Sequence, residues 1–298
     1  MCKIFDFQND LKEAILELAR KMGIKITHNM SLQDVLQDYL TIFHKIIPIK
    51  QRAVFVCPQL CCEILTHPKS KEIKTIIDIA KRGGNLNPFQ NKRLLQSKFH
   101  DHMITEWNIY HFHLSLELDK KSRFVKQVNA LLFAYIDEDN IVFLGTDTHK
   151  DDVFGNIKWL TLLHNNFPQL IQRYKLGEGN VYPYLSAKDR QRLWNYGHTT
   201  FMTKVGNSVY YSPNGGRTLD GRNFMVIRKM ISILDWIDLV QKQLSENYEL
   251  VCMKLNIPVT KAQFKVLIHN GKIGLFELSS SQQILQGGNS FDLSKIRE

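Results

Sequence analysis

Two short runs place imidazoles at a spacing that suits proton transfer or metal binding. Trp107-Asn-Ile-Tyr-His111-Phe-His113-Leu-Ser115 carries two histidines two residues apart. Ile141-Val-Phe-Leu-Gly-Thr-Asp147-Thr-His149-Lys150 carries a carboxylate and a third imidazole at the same spacing. Side chains two residues apart on a strand project to the same side. Each pair therefore presents both members to one face of a sheet. If the sheet brings the pairs together, three imidazoles and a carboxylate share one site, the raw material of acid–base catalysis or of metal coordination.

Three chemistries fit those residues. The first is cleavage of RNA through its own 2′-hydroxyl, with no cofactor. It needs a base near that oxygen, an acid near the leaving 5′-oxygen and a cation for the phosphate charge. His111 or His113 could be the base and His149 the acid. Arg123, with Lys120, Lys121 and Lys126 beside it, could hold the phosphate, and Tyr110 and Tyr135 could stack on bases or donate a proton. The second is a divalent transition metal held by His111, His113, Asp147 and His149, with a water in an open position. The third is binding without catalysis: Trp107, Tyr110, Phe112 and Phe133 as core or stacking residues, and the lysines as a solvated face or a phosphate track. The plain structural alternative is a sheet face on which one histidine packs and the other hydrogen-bonds. Asp137, Glu138 and Asp139 read as turn formers. His102, His164, His198 and His269 have no partners at a telling spacing and read as structural or exposed. The run Gly215–Gly221 lacks the Gly-Lys-Ser/Thr ending of a phosphate-cradling loop and reads as a flexible turn.

The elements that must position these groups divide in two. Residues 7–22 repeat apolar positions at Leu11, Ala14, Ile15, Leu18, Ala19 and Met22, and Ser31 caps a second helical stripe through Val35, Leu36, Tyr39, Leu40 and Phe43. Residues 52–57 are a short strand or an extended connection, and helices are expected over 58–66 and 69–82. A basic stretch from Lys92 to Lys98 leads into a helix carrying Asp101 to Glu106. From Ile109 the period changes to two, with strands expected at 109–117, 128–136 and 140–147. A helix at about 156–165, a short Ser186-capped helix over 186–196 and a hairpin turning at Gly206-Asn207 follow. A long helix spans 222–247, apolar at Phe224, Ile227, Ile231, Leu234, Ile237, Val240 and Leu244. A last hairpin turns at Asn270-Gly271, and the final twenty residues read as a loosely held tail. The fold class expected is α+β, with a helical region over 1–100 and a mostly antiparallel sheet core with packed helices, a C-terminal helix and a hairpin over 101–298.

Composition bounds the setting. Lys and Arg number 39 against 29 acidic residues, a net charge of +10 that favours a polyanionic partner, RNA before DNA. Five cysteines, two of them adjacent, do not make a disulfide framework and point to reduced, buried thiols in a cytoplasm. The chain opens without a signal-peptide pattern, and no apolar run reaches the roughly 20 residues of a membrane span, so no membrane partner is expected.

The order strand with His, basic link with Arg123, strand Leu131-Leu-Phe-Ala-Tyr-Ile-Asp137, hairpin, strand ending Asp147-Thr-His149 resembles the core of RelE/HigB-type toxin ribonucleases over about 107–150. That resemblance implies a phosphate-binding role for Arg123, a late-strand catalytic role for His149, RNA as substrate and a neutralising or complex-forming protein partner. Those toxins are far shorter, and the His111/His113 pair is not part of their pattern. The same block also looks like proteins of bacterial mobile or defence islands. The expectation is a nuclease, a ribonuclease before other kinds, in a toxin or phage-defence role. A non-catalytic binding component and a metal-dependent phosphodiesterase stand as alternatives.

Overall fold

A computed structural model describes residues 5–26, 29–150, 152–218, 222–269, 272–284 and 291–292. In chain order the elements are α1 (Phe7–Lys21), α2 (Leu32–Lys45), β1 (Ala53–Val56), α3 (Pro58–Thr66), α4 (Ser70–Lys81), α5 (His102–Trp107), β2 (Ile109–His113), β3 (Ala130–Ile136) and β4 (Asn140–Thr148). They continue with α6 (Lys158–Asn166), α7 (Pro168–Ile171), β5 (Lys175–Glu178), α8 (Ala187–Asn195), β6 (Met202–Val205), β7 (Ser208–Tyr211), α9 (Phe224–Glu246), α10 (Tyr248–Lys254), β8 (Phe264–His269) and β9 (Lys272–Glu277). Two short strands, β10 (Gln282–Gln283) and β11 (Phe291–Asp292), complete the set. The class is α+β, with helices preceding the sheet core.

The central sheet has the order β1-β4-β3-β2. Residues 52–57 supply a true edge strand, β1, parallel to β4, while β4, β3 and β2 run antiparallel to one another. One face packs Tyr110, Phe112, Leu132, Ala134, Ile136 and Phe143 under α3 and α4. The other packs Ile109, Leu131, Phe133, Tyr135, Val142 and Leu144 against Trp159 of α6, Trp194 of α8 and Tyr210 of β7. With helices on both faces, every residue of β2 is buried.

An irregularity in β4 decides which side its last residues face. Phe133 pairs with Gly145, but Ala134 pairs with Phe143, so Leu144 is an extra residue, a β-bulge. Before it the even-numbered residues of β4 face the α6 side; after it the odd-numbered ones do. Gly145 meets Trp159 closely enough that a Cβ there would lie 3.0 Å from the indole ring.

The outer elements form a separate core. α1 and α2 bury Leu11, Ile15, Ala19, Val35, Leu36 and Leu40, not against α3 and α4 but against α9 and the β8–β9 hairpin. Asp6 and Ser31 cap the two helices as side-chain acceptors. α9 buries Val226, Met230, Ile233, Ile237, Val240 and Leu244, a face rotated from the one read off the sequence. The helix is apolar around most of its circumference, so the period does not single out one stripe, and Phe224 and Ile231 remain 46% and 50% exposed. β10 and β11 both pair with β9, where a loose tail was expected; the Asn270-Gly271 turn and residues 219–221 of the glycine-rich loop lie outside the described residues. Cys57 and Cys252 are buried as expected of structural thiols, whereas Cys61 and Cys62 are exposed on α3. Among the described residues no helix is long and apolar enough to cross a membrane.

Candidate functional site

The site begins at the turn into α5. Asp101 is the N-cap of that helix: its Oδ1 accepts from the Ile104 N–H at 3.1 Å. The other oxygen, Oδ2, lies 3.4 Å from Nδ1 of His111, without the alignment of a hydrogen bond. His111 projects from β2 to the α6 side, and the β4 bulge turns His149 to that side too. Phe154 packs against both rings, 5.2 Å from His111 and 4.9 Å from His149 between centroids. His113 meets His111 edge-on at 6.1 Å. Its Nδ1 lies 2.8 Å from the Val128 carbonyl, which only accepts, so Nδ1 carries the proton and Nε2 does not. A cavity of about 190 Å³ opens between these elements, lined by His100, Asp101, His102, His111, His149 and Phe154, with Gln191 and Trp194 of α8 as its far wall.

Burial favours the neutral form of His100, His102, His111 and His113. It is the main cause that lowers the pKa of His111; Asp101 opposes the shift and His149 adds to it. Burial takes His113 to about 4, against the Val128 hydrogen bond. It takes His100 to about 4 and His102 to about 3, and in both cases the Arg217 guanidinium pushes the same way. His102 lies flat on Trp194, rings 5.3 Å apart. Behind the cavity Lys45 donates to the carbonyls of Gln96 and Phe99, each at 2.7 Å, and burial lowers its pKa to about 8. Among the residues lining the cavity, His102 Nδ1, His111 Nδ1 and Gln191 Oε1 are buried without a hydrogen-bond partner. Such atoms are rare in folded proteins, and each has capacity left for a polar partner. Arg93 lines the cavity, and the Arg217 guanidinium lies close enough to act on His100 and His102, so the potential there is positive.

A buried carboxylate holds the far wall. Glu106 of α5 is 1% exposed; its Oε1 accepts from Trp194 Nε1, from Thr199 Oγ1 at 3.0 Å and from the Thr200 N–H at 2.9 Å, and its Oε2 from the Thr200 hydroxyl. Burial raises its pKa, and those hydrogen bonds oppose the rise. Arg190 of α8 donates to the Gly155 carbonyl at 2.9 Å. A side chain at Gly155 would meet the Ala187 carbonyl at 2.1 Å, so glycine lets the Phe154 loop lie against α8.

The groups singled out from sequence are not all brought together. His111 and His149 line the cavity, and His113 adjoins His111 without lining it. Asp147 turns to Lys158, which with the Thr148 N–H holds its carboxyl below the ordinary range despite partial burial. Among the described residues no three His, Cys, Asp or Glu side chains converge as a metal site would require, the set His111, His113, Asp147 and His149 included. Lys120, Lys121, Arg123 and Lys126 are exposed on the link between β2 and β3; Lys126 pairs with Glu117, and none of the four lines the cavity. Tyr110 and Tyr135 are 0% exposed, Tyr110 on the opposite face of the sheet and Tyr135 with its hydroxyl 3.3 Å from Asp137. Burial in a doubly covered sheet corrects the expectation that either ring stacks on a base. The groups that the strand pattern missed are His100, Asp101 and His102. Their signal is local: two imidazoles flanking an N-cap aspartate, immediately before a helix. The chain matches no family model, no curated protein and no solved structure.

Proposed function

We propose that the protein is a ribonuclease that cleaves RNA by histidine acid–base chemistry. The observation that carries this reading is that His111, with Asp101 beside it, and exposed His149 both pack on Phe154 and line one cavity with a positive surround. Asp101 Oδ2 lies 3.4 Å from Nδ1 of His111, and a small closure would make the hydrogen bond by which a carboxylate orients an imidazole as a base, with Nε2 toward substrate. A neutral His111 accepts the 2′-hydroxyl proton, and His149 at the mouth delivers a proton to the leaving 5′-oxygen. Arg93, Lys45 and Arg217 supply the positive potential, in place of the exposed Arg123. A bound phosphate raises the depressed imidazole pKa values by offering the charged form a partner. The setting proposed with it is cytoplasmic, in a toxin or phage-defence role with a neutralising protein partner; its support is the resemblance over 107–150.

The test is cleavage of labelled single-stranded RNA in EDTA. His111→Asn and His149→Ala should each lower the rate by at least about 10²-fold, the range of a lost acid–base group. Asp101→Asn, which keeps the helix cap, should lower it less, and all three should melt within a few degrees of the parent. Full activity in both histidine variants would sink the assignment. Salt-sensitive RNA binding with no product would leave a binding component instead.

A further inference from the structure

A second, wider groove of about 760 Å³ lies on the other side of the turn that follows α8. Trp194 and Asn195 line the histidine cavity, while Gly197, His198 and Thr199 line the groove, so residues 194–199 form a partition between the two. Tyr196, 76% exposed, stands on that partition. The floor of the groove is Ile227 and half-exposed Ile231 of α9 over the buried Met230, with Phe201 beside them. Its polar side holds Arg217 and Arg222. Arg217 is only 8% exposed, its Nη1 reaches the Trp194 carbonyl at 3.5 Å, and its Nε has no hydrogen-bond partner. A buried guanidinium with a spare donor is suited to a phosphate, and it sits at the boundary where its charge is also felt by His100 and His102.

We propose that this groove is a second nucleotide subsite, so that the protein engages an extended single strand crossing the 194–199 partition. One phosphate lies in the histidine cavity, a base stacks on Tyr196, and the next nucleotide places its phosphate on Arg217 and its base on the α9 strip. A duplex is unsuited, because its base faces are already stacked and cannot reach an apolar floor or an exposed ring. The phosphate placed in the histidine cavity rests on the ribonuclease reading; occupancy of the groove does not, and can be measured without cleavage.

The experiment is fluorescence anisotropy with 5′-labelled 2′-O-methyl oligouridylates, which cannot cleave through a 2′-hydroxyl. A hexamer should bind at least about tenfold tighter than a dinucleotide, the order of one or two stacked bases. Ile231→Asp, at a half-exposed position, should bring the hexamer toward the dinucleotide's affinity and leave the dinucleotide's own unchanged, whereas Tyr196→Ala, at the shared partition, should weaken both. Equal affinities for the two lengths, or a hexamer indifferent to Ile231→Asp, would overturn the subsite. So would displacement of the hexamer by polyglutamate of equal charge, which would assign the groove to an acidic protein. If this pattern holds while unmodified RNA stays intact with the parent protein, the subsite stands and the ribonuclease reading falls.

Discussion

At the scale of single residues, four depressed imidazoles tie stability to pH. In the unfolded chain a histidine titrates near 6.5, whereas His100, His102, His111 and His113 are all held lower by burial in the folded protein. Between those values the unfolded state binds more protons, so stability falls as pH drops below about 6.5 and the loss levels off near 3–4. Urea unfolding at intervals from pH 7 to 4 should show this decline, and His102→Gln should make it shallower. A flat profile above pH 5 would contradict the burial of these rings. Glu106 offers a sharper residue-level comparison. Glu106→Leu strands three buried donors and should cost about 3 kcal/mol or more. Glu106→Gln should cost clearly less, because its amide nitrogen can donate to the Thr200 hydroxyl in place of Oε2. Chemical denaturation of the two variants decides it. The histidines on β2 were visible in the sequence because alternation marks a strand. His100 and Asp101 were not, because a loop has no period to read.

At the scale of elements, the β4 bulge does what alternation cannot foretell. Alternation correctly pairs Asp147 with His149, yet their side of the sheet depends on one extra residue, Leu144, whose presence leaves no mark in the pattern. Gly145 is the visible trace of it. Gly145→Ala places a methyl group 3.0 Å from Trp159 and should destabilise by about 1–3 kcal/mol, the usual range for overpacking. Tryptophan fluorescence and urea unfolding should both report the change; an unperturbed Trp159 would mean that α6 gives way without strain. The helices of the first hundred residues, the β6–β7 and β8–β9 hairpins and the Ser186 cap were legible, since each has its own local signal. β5, α7 and α10 were not, being short and held by neighbours. The buried face of α9 differs from the expected stripe because apolar residues surround the helix, and the surplus lines the groove floor.

At the scale of the whole molecule, the excess of cations sets the binding regime. If a single strand places two or three phosphates on the cavity and groove, the logarithm of its affinity should fall with the logarithm of salt at a slope of about −2. Anisotropy titrations across a salt series measure this, and a slope near zero would mean that the +10 net charge has no part in recognition. The shared outer core has a consequence for how the protein comes into being. α1 and α2 leave the ribosome first, yet the surfaces that cover them, α9 and β8–β9, are translated some two hundred residues later. At about 5–20 residues per second, their greasy faces wait roughly ten seconds or more for a partner. Nascent chains arrested before α9 should therefore be bound by trigger-type chaperones, and release from them should follow the emergence of the last hairpin.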